Sequence, residues 1–334
     1  MIKGGGNNME VNKKINWGIS RDLQADIRYE YNACKGYVID LSLGCSHKCS
    51  YCIFSPLELK VYKLHNPDYN GEVLTLKLEK FLERKEFPPS VYMCYSSDPL
   101  GNEDVKESSK IVLKKLLENN VNVLFITKGI FDDSILDIVK ERPDLMNIQI
   151  DVSNYDNFRN NKIEPGAPSY TQRVNNIEKL TKIEGLGSLA VRMDPLLPNI
   201  DDTNENVEKI LKDISILGVN EVVVGYVVLT ENIKNKWSND KYTKQVTELL
   251  TEKTPTISQQ VLYSIPFEDK VKRIEKIHEL CKKYDIKLSV CGCKDERFKK
   301  TDFEWVCHPF NREVREKLNK QTSNNMVMDT DHLT

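Results

Sequence analysis

The stretch GYVIDLSLGCSHKCSYC (36–52) places three cysteines directly after an apolar run that predicts a buried β-strand. Cys45, Cys49 and Cys52 follow a CxxxCxxC spacing. Three thiolates can hold three irons of a [4Fe–4S] cluster and leave the fourth iron open, whereas electron-carrying clusters and structural zinc sites usually take four protein ligands. Two alternatives are a zinc site with His47 as its fourth ligand and a set of buried thiols without metal. The spacing favours the cluster.

Further apolar runs of strand length follow along the chain, and helical patterns separate them. The predicted strands are 36–42, 90–95, 121–127, 147–153, 187–193, 221–228 and 286–291, and the predicted helices lie near 74–85, 105–119, 131–140, 170–183, 205–217 and 267–284. Buried strands that alternate with helices predict a parallel sheet of right-handed βαβ units. No GxGxxG follows the first strand, which disfavours an open doubly wound sheet. We therefore predict an α/β fold, a partial (β/α)6-type TIM barrel.

The domain organisation follows from composition and from the length of the connections. We expect residues 15–290 to form the barrel, with 229–265 as an insertion or lid because it is long for a βα loop. A short Cys-containing extension is predicted over 291–319. The polar ends, 1–14 and 320–334, lack periodicity and are predicted to be disordered.

The bulk composition excludes several classes of protein. The formal charge of −2 gives no overall basic signature, so nucleic-acid binding would need a local patch. No apolar run approaches the roughly 18 residues that span a bilayer, and the N-terminus has no apolar signal region. Nine cysteines without a signal favour reduced thiols and metal ligation over disulfides. We expect a cytoplasmic protein with no membrane partner.

Polar residues follow successive predicted strands. Ser96–Asp98 come after the second strand, Lys128 after the third, Ser153 after the fourth and Asp194 after the fifth. In a (β/α) barrel the chemistry gathers on the loops that leave the carboxyl ends of the strands. The sequence therefore predicts one rim that carries the cysteines and these side chains together.

Several short motifs occur in an order that resembles a known family. They are GCSHKCSYC (44–52), SSDP (96–99), TKG (127–129), DVSN (151–154), EPGAPSYTQR (164–173) and RMDPLLP (192–198). The chain resembles the radical S-adenosylmethionine (SAM) superfamily, and within it the spore photoproduct lyase and related "DNA repair photolyase"-type proteins. The resemblance covers about residues 35–225 and implies a partial barrel of the radical SAM kind.

The resemblance implies a reaction and its cofactors. A [4Fe–4S] cluster would bind SAM at its open iron, and one electron would release a 5′-deoxyadenosyl radical that abstracts hydrogen from the substrate. A flavodoxin or ferredoxin-type partner would supply the electron. The implied SAM-site residues are Tyr51, Ser97, Asp98, Lys128, Ser153 and Arg192. Solvation of the lysine, helix capping by the serines and turn chemistry at Asp98-Pro99 are the competing interpretations.

Two positions depart from the lyase pattern. Ile53 stands where the lyase has a second tyrosine after its cluster, and Tyr95 stands where the lyase has its hydrogen-donating cysteine. Tyr95 and its neighbour Cys94 are the catalytic candidates at this place, although strand alternation turns Cys94 to the opposite face. Thymine-dimer reversal is therefore in doubt. The substrate could be a modified nucleobase in nucleic acid, or a small molecule or peptide; a non-catalytic iron–sulfur protein is the remaining alternative.

A second group of cysteines lies near the C-terminus. Cys291-Gly-Cys293 closes the last predicted strand, and Cys307-His308 follows. Cys291, Cys293 and Cys307 could bind a second iron–sulfur cluster or zinc, with His308, another residue or substrate as the fourth ligand. The alternative is that these are ordinary buried thiols. Glu164 and Arg173 flank a Pro-Gly turn and are expected either to form an ion pair or to contact the cofactor.

Overall fold

A computed structural model of the protein describes residues 26–30, 36–85, 87, 90–255, 261–292 and 294–304. The strands within these ranges are β1 (Asp26–Glu30), β2 (Gly36–Asp40), β3 (Ser42–Leu43), β4 (Lys60–Val61), β5 (Val91–Met93), β6 (Val123–Thr127), β7 (Met146–Asp151), β8 (Ser188–Leu196), β9 (Glu221–Tyr226), β10 (Glu252–Pro255), β11 (Val261–Ser264) and β12 (Lys287–Val290). The helices are α1 (Tyr69–Leu82), α2 (Glu103–Glu118), α3 (Asp133–Glu141), α4 (Asn157–Ile163), α5 (Tyr170–Thr181), α6 (Asn204–Ile216), α7 (Glu231–Ser238), α8 (Lys244–Leu249) and α9 (Phe267–Lys283).

The main sheet follows the order of the chain. Its strands run β1-β2-β5-β6-β7-β8-β9-β12, and β1 pairs antiparallel with β2 while all later neighbours pair parallel. A doubly wound sheet reverses its strand order at a switch point. Here the order never reverses, so the sheet grows in one direction as a barrel wall does. The predicted partial barrel is confirmed, with the seven predicted strands as its parallel part.

The two faces of the sheet differ in chemistry. Strand residues such as Met93, Phe125 and Ile148 belong to the main hydrophobic core, which also contains buried residues of the helices. The alternating positions face the other way, because successive side chains of a strand point to opposite faces. There Leu124 packs with Tyr92 and Ile126 in a separate small cluster. The inner face of the partial barrel is therefore distinct from the core.

Some elements were not predicted from the sequence. The helix α4 lacks an apolar stripe and depends on the cap Asp156, whose carboxylate accepts from the backbone of Phe158 and Arg159. The helix α1 begins earlier than expected because Asp68 caps it, accepting from Gly71 N at 3.0 Å. The insertion holds α7, α8 and the hairpin β10–β11. Within it, α8 ends at Leu249, before Glu252 starts β10.

Some predictions fall outside the described residues. These are the disordered ends 1–14 and 320–334, the ligands Cys293 and Cys307, and most of the extension 291–319. Among the described helices, none combines the length and hydrophobicity that a bilayer crossing requires.

Candidate functional site

The three cysteines lie on a loop that is closed at its base. A two-residue antiparallel ladder between β3 and β4 pairs Ser42 with Val61 and Leu43 with Lys60 on either side of the loop. Within it, the amide of Cys52 donates to the carbonyl of Cys49 at 3.0 Å. Cys49 is buried and the other two cysteines are partly buried. The ladder therefore presents the three thiols as one unit at the carboxyl end of β2.

The thiols are in surroundings that disfavour their ionised form. Burial, followed by the charge of Asp98, raises the pKa of Cys45 to about 12. Burial is also the largest cause of the raised pKa of Cys49, followed by the charge of Glu164. Burial likewise raises the pKa of Cys52. Thiolates at such a place need a cation to compensate them, and an all-sulfur donor set suits iron.

A single metal ion is a different requirement from a cluster. In the part of the chain that the structure describes, no three His, Cys, Asp or Glu side chains are arranged to hold one metal ion. A [4Fe–4S] cluster takes each thiolate on a separate iron. Three cysteines at CxxxCxxC spacing on one loop match that donor set.

Asp98 joins three loops at the rim. Its Oδ1 accepts from Thr127 Oγ1 at 2.6 Å and from Leu100 N at 2.9 Å. Its Oδ2 accepts from the amide of Lys128 at 2.7 Å and lies 3.1 Å from His47 Nε2. Burial would raise the pKa of Asp98, but His47 and these hydrogen bonds lower it to about 2. Both oxygens are thus engaged in holding the loops after β2, β5 and β6 together.

Lys128 extends from the end of β6 towards the cysteine loop. Its ammonium lies 2.7 Å from Asp151 Oδ2 and 5.9 Å from the centre of the Tyr51 ring. Burial alone would lower the pKa of Lys128, but the charges of Asp151 and Glu164 raise it. The lysine is therefore a buried cation beside Tyr51.

Several buried polar atoms at this rim have no hydrogen-bond partner among the described residues. They are the hydroxyls of Ser97 and Ser153 and the Oδ1 of Asp151. The Ser97 hydroxyl lies beside the thiol of Cys94, which is a weak acceptor. Buried polar groups are nearly always hydrogen-bonded, so such a group calls for a ligand or water. Three of them beside the cysteine loop fit a polar cofactor at this place.

Arg192 stands on the inner face of β8. Its Nη1 donates to Gln149 Oε1 at 3.0 Å, and its Nη2 donates to Asp194 Oδ2 and lies 3.2 Å from Cys291 Sγ. Lys294 also pairs with Asp194. Gly225 makes this possible, because a β-carbon there would lie 2.8 Å from the carboxylate carbon of Asp194. Cys291 is thus brought to the inner face, while its predicted co-ligands lie outside the described residues.

Cys94 and Tyr95 point to different surroundings. The strand β5 ends at Met93, and Cys94 has a left-handed backbone with φ of +66°. Its side chain is 1% exposed and belongs to the main hydrophobic core. Tyr95 instead packs edge-on against Phe54, which follows the cysteine loop, with ring centres 6.3 Å apart. Tyr95 is the one of the pair that faces the candidate site.

A network of buried ion pairs is centred on Glu164, next to the cysteine loop. Glu164 Oε2 lies 2.7 Å from Arg173 Nη2, and its Oε1 lies 3.3 Å from Arg159 Nη1. Arg159 in turn pairs with Asp201. Burial would raise the pKa of Glu164, but Arg173, Lys128 and Arg159 hold it well below its usual range. The ion pair expected of Glu164 and Arg173 is therefore present.

Sequence reasoning missed Gln149 and Asp151 as parts of the site, although a signal for both was present. Gln149 and Asp151 alternate with apolar residues along β7, so their shared face could have been read as a polar inner face. The contact of His47 with Asp98 joins distant segments and had no such signal.

Comparison with known proteins places this geometry in context. The family model of the Radical SAM superfamily matches residues 39–194. A Methanocaldococcus jannaschii protein named "Putative glycyl-radical enzyme activating enzyme" is 28% identical over 207 residues, which are 61% of this chain and 73% of that protein.

Solved structures share the fold at low identity. Spore photoproduct lyase with bound AdoMet and dinucleoside spore photoproduct matches with a TM-score of 0.59 and 15% identity over 80% of each chain. Streptococcus suis SuiB bound to precursor peptide SuiA matches with a TM-score of 0.50 and 11% identity, covering 76% of this chain and 48% of SuiB. These likenesses concern the architecture of the sheet and its helices.

Proposed function

We propose that this chain is a radical SAM enzyme, since the family model of that superfamily matches residues 39–194, and that the rim holds a [4Fe–4S] cluster and SAM. Cys45, Cys49 and Cys52 would ligate three of the irons. When bound, the cluster and SAM together supply a 5′-deoxyadenosyl radical, by one-electron cleavage, for hydrogen abstraction from the substrate. We propose a flavodoxin or ferredoxin as the source of that electron.

The chain's own residues would bind and orient SAM. The ring of Tyr51 offers an aromatic surface beside the cysteine loop, with the Lys128 ammonium 5.9 Å from its centre. Ser97 and Ser153 offer buried hydroxyls, and Lys128 a buried cation for the carboxylate of SAM. Asp98 would act as a positioning residue, because its oxygens already bind the loops. Arg192 remains a candidate for either SAM or substrate.

One observation carries this proposal. The oxygens of Ser97, Asp151 and Ser153, which have no partner among the described residues, gather at the same rim as the three thiols of the cysteine loop. Each group alone has an ordinary explanation, such as a bound water or a structural thiol. Together they match a ligand with several polar atoms next to a metal cluster.

Anaerobic reconstitution followed by an iron count tests the proposal. The protein would then be incubated with SAM and a strong reductant, and 5′-deoxyadenosine measured. We expect release from the native protein and none from Cys49→Ala. Cys281→Ala is the matched control, since this thiol is also buried but lies in the core on α9. Absence of 5′-deoxyadenosine from well-reconstituted native protein would indicate a non-catalytic iron–sulfur protein.

Two substrate classes remain for the abstraction step. A lyase-like role on a modified nucleobase has the support of the shared fold. A small molecule or peptide has the support of Tyr95, which faces the site where the lyase pattern has a cysteine, while Cys94 lies in the core. Release of 5′-deoxyadenosine would be compared in the presence of dinucleoside spore photoproduct and of glycine-containing peptides. The class that accelerates release identifies the substrate.

The C-terminal cysteines are tested in the same reconstitution. We propose that Cys291, with Cys293 and Cys307, binds a second iron–sulfur cluster or zinc. About eight irons per chain would support a second cubane cluster, and about four with one zinc would support the zinc site. About four irons and no zinc, unchanged in Cys291→Ala, would leave Cys291 as a structural thiol beside Arg192.

A further inference from the structure

The segment 163–166 runs along the cysteine loop and is bonded to it by backbone. The amide of Ser50 donates to the carbonyl of Ile163 at 2.7 Å, and the amide of Gly166 donates to the carbonyl of His47 at 2.9 Å. His47 Nδ1 lies 3.1 Å from the carbonyl of Gly166. A β-carbon at Gly166 would lie 2.3 Å from the carbonyl oxygen of Ser46, so only glycine allows this approach. The segment is therefore a clamp on the loop that carries the thiols.

Glu164 is the charged residue of this clamp. It is 1% exposed, and three donors converge on its carboxylate. The Tyr51 hydroxyl donates to Oε1 at 3.0 Å, while the guanidinium groups of Arg159 and Arg173 bind the two oxygens. A buried carboxylate is retained only when its charge is compensated in this way. The arginines fix the carboxylate, and the carboxylate in turn fixes Tyr51.

Tyr51 links this carboxylate to the thiols. It lies between Cys49 and Cys52 in the chain, and Ser50 beside it is bonded to Ile163, the residue before Glu164. The carboxylate therefore stands next to the loop on the side of Cys49. A fixed negative charge close to a cluster disfavours the addition of an electron, and the reduction potentials of iron–sulfur clusters depend on such nearby charges and hydrogen bonds.

We propose that Glu164 is a positioning residue that holds Tyr51 in place for SAM and lowers the reduction potential of the cluster at Cys45, Cys49 and Cys52. This inference rests on the proposed function, since it presumes a cluster and SAM at the rim. It assigns two effects to one carboxylate. The hydrogen bond fixes the orientation of the Tyr51 ring, and the negative charge lowers the reduction potential of the cluster.

Two variants separate these effects. Glu164→Gln removes the charge but keeps an oxygen that can accept from Tyr51, so the midpoint potential should rise. Tyr51→Phe keeps the ring and the charge but removes the hydrogen bond, so SAM should bind about threefold to tenfold more weakly, as expected for one hydrogen bond. The potential is measured by a redox titration followed by electron paramagnetic resonance, and SAM binding by equilibrium dialysis. Neither readout needs SAM cleavage.

Glu178→Gln is the matched control. This glutamate is exposed on α5 and pairs with Lys182 one turn away, so it should leave both readouts unchanged. A Glu164→Gln protein with about four irons and the native potential would overturn the electrostatic role. If Glu164→Gln fails to fold, Tyr51→Phe still decides the positioning role, and native SAM affinity in that variant would overturn it. A native protein that binds SAM but releases no 5′-deoxyadenosine would instead contradict the proposed function.

Discussion

The guanidinium of Arg192 lies 3.2 Å from the sulfur of Cys291, and this contact joins the fifth parallel strand of the sheet to the end of the seventh. The strand between them, β9, contributes Gly225 at the same level. The same guanidinium also binds Asp194 and Gln149. The side chain of Arg192 therefore connects β7, β8 and the end of β12 on the inner face of the sheet.

Loss of this side chain should destabilise the fold. Arg192→Ala removes a charged partner of the buried carboxylate of Asp194, and breaking a buried pair costs about 3 kcal/mol. The free energy of unfolding would be measured in urea on the metal-free protein. Arg142→Ala is the control, because its exposed pair with Asp144 should be worth less than about 1 kcal/mol. Equal effects of the two substitutions would contradict the structural role of Arg192.

Gly225 should tolerate no side chain while Asp194 is present. A β-carbon would lie 2.8 Å from the Asp194 carboxylate, so Gly225→Ala should cost about 1–3 kcal/mol through overpacking. The same change should cost much less in an Asp194→Ala background. A double-mutant cycle in urea measures the difference. Additive effects would show that the two residues do not compete for the same space.

The buried hydroxyl of Ser153 should matter for SAM and not for the fold. Because it has no partner among the described residues, Ser153→Ala removes no protein hydrogen bond and should leave the melting temperature unchanged. SAM should bind about threefold to tenfold more weakly if the hydroxyl is its partner. Ser264→Ala is the matched control, since this hydroxyl is also buried and has no partner among the described residues but lies on β11, outside the main sheet. Equal SAM affinities of the two variants would remove Ser153 from the site.

The lowered pKa of Asp98 predicts that the stability of the fold depends on pH. Its pKa falls from 3.8 to about 2 on folding, so its contribution is fully present above about pH 4 and is lost as the pH drops towards 2. The shift corresponds to about 2 kcal/mol. In the metal-free protein, the free energy of unfolding should depend less on pH over this window in Asp98→Asn than in the native protein. Asp137→Asn, on the surface, should leave this pH dependence unchanged. A parallel acid-induced decline in Asp98→Asn and the native protein would exclude this role.

The fold was predictable because its signals are local. Strand β7 (MNIQID) and its neighbours are short apolar runs, and the helices between them carry apolar stripes. The cysteine spacing is local as well, since Cys45 and Cys52 lie on one loop. Elements without an apolar pattern, such as α4, were not predicted, because a side-chain cap and tertiary contacts stabilise them instead.

Apart from the pair of Glu164 and Arg173, the partners in the buried ion network could not be predicted from the sequence. Glu164 finds its partners in Arg159, Arg173 and Tyr51, and the last of these is far away in the chain. With 48 Lys and Arg and 50 Asp and Glu in the chain, a great many pairings were open before the fold was known. The same holds for Asp194 and Lys294, which meet only because β8 and β12 flank one strand. Alternation indicates which face a residue takes, but not which partner it meets there.

The short ladder between β3 and β4 has a consequence for metal loading. Bringing the ends of a loop together costs conformational entropy, and here that cost is met when the chain folds, before any iron arrives. In the proposed function, iron would bind to three sulfurs on a loop that is already closed, so less of its binding free energy would go into ordering the backbone. We therefore expect the cluster to leave and return while the barrel stays folded, which makes repair of an oxidised cluster a local event.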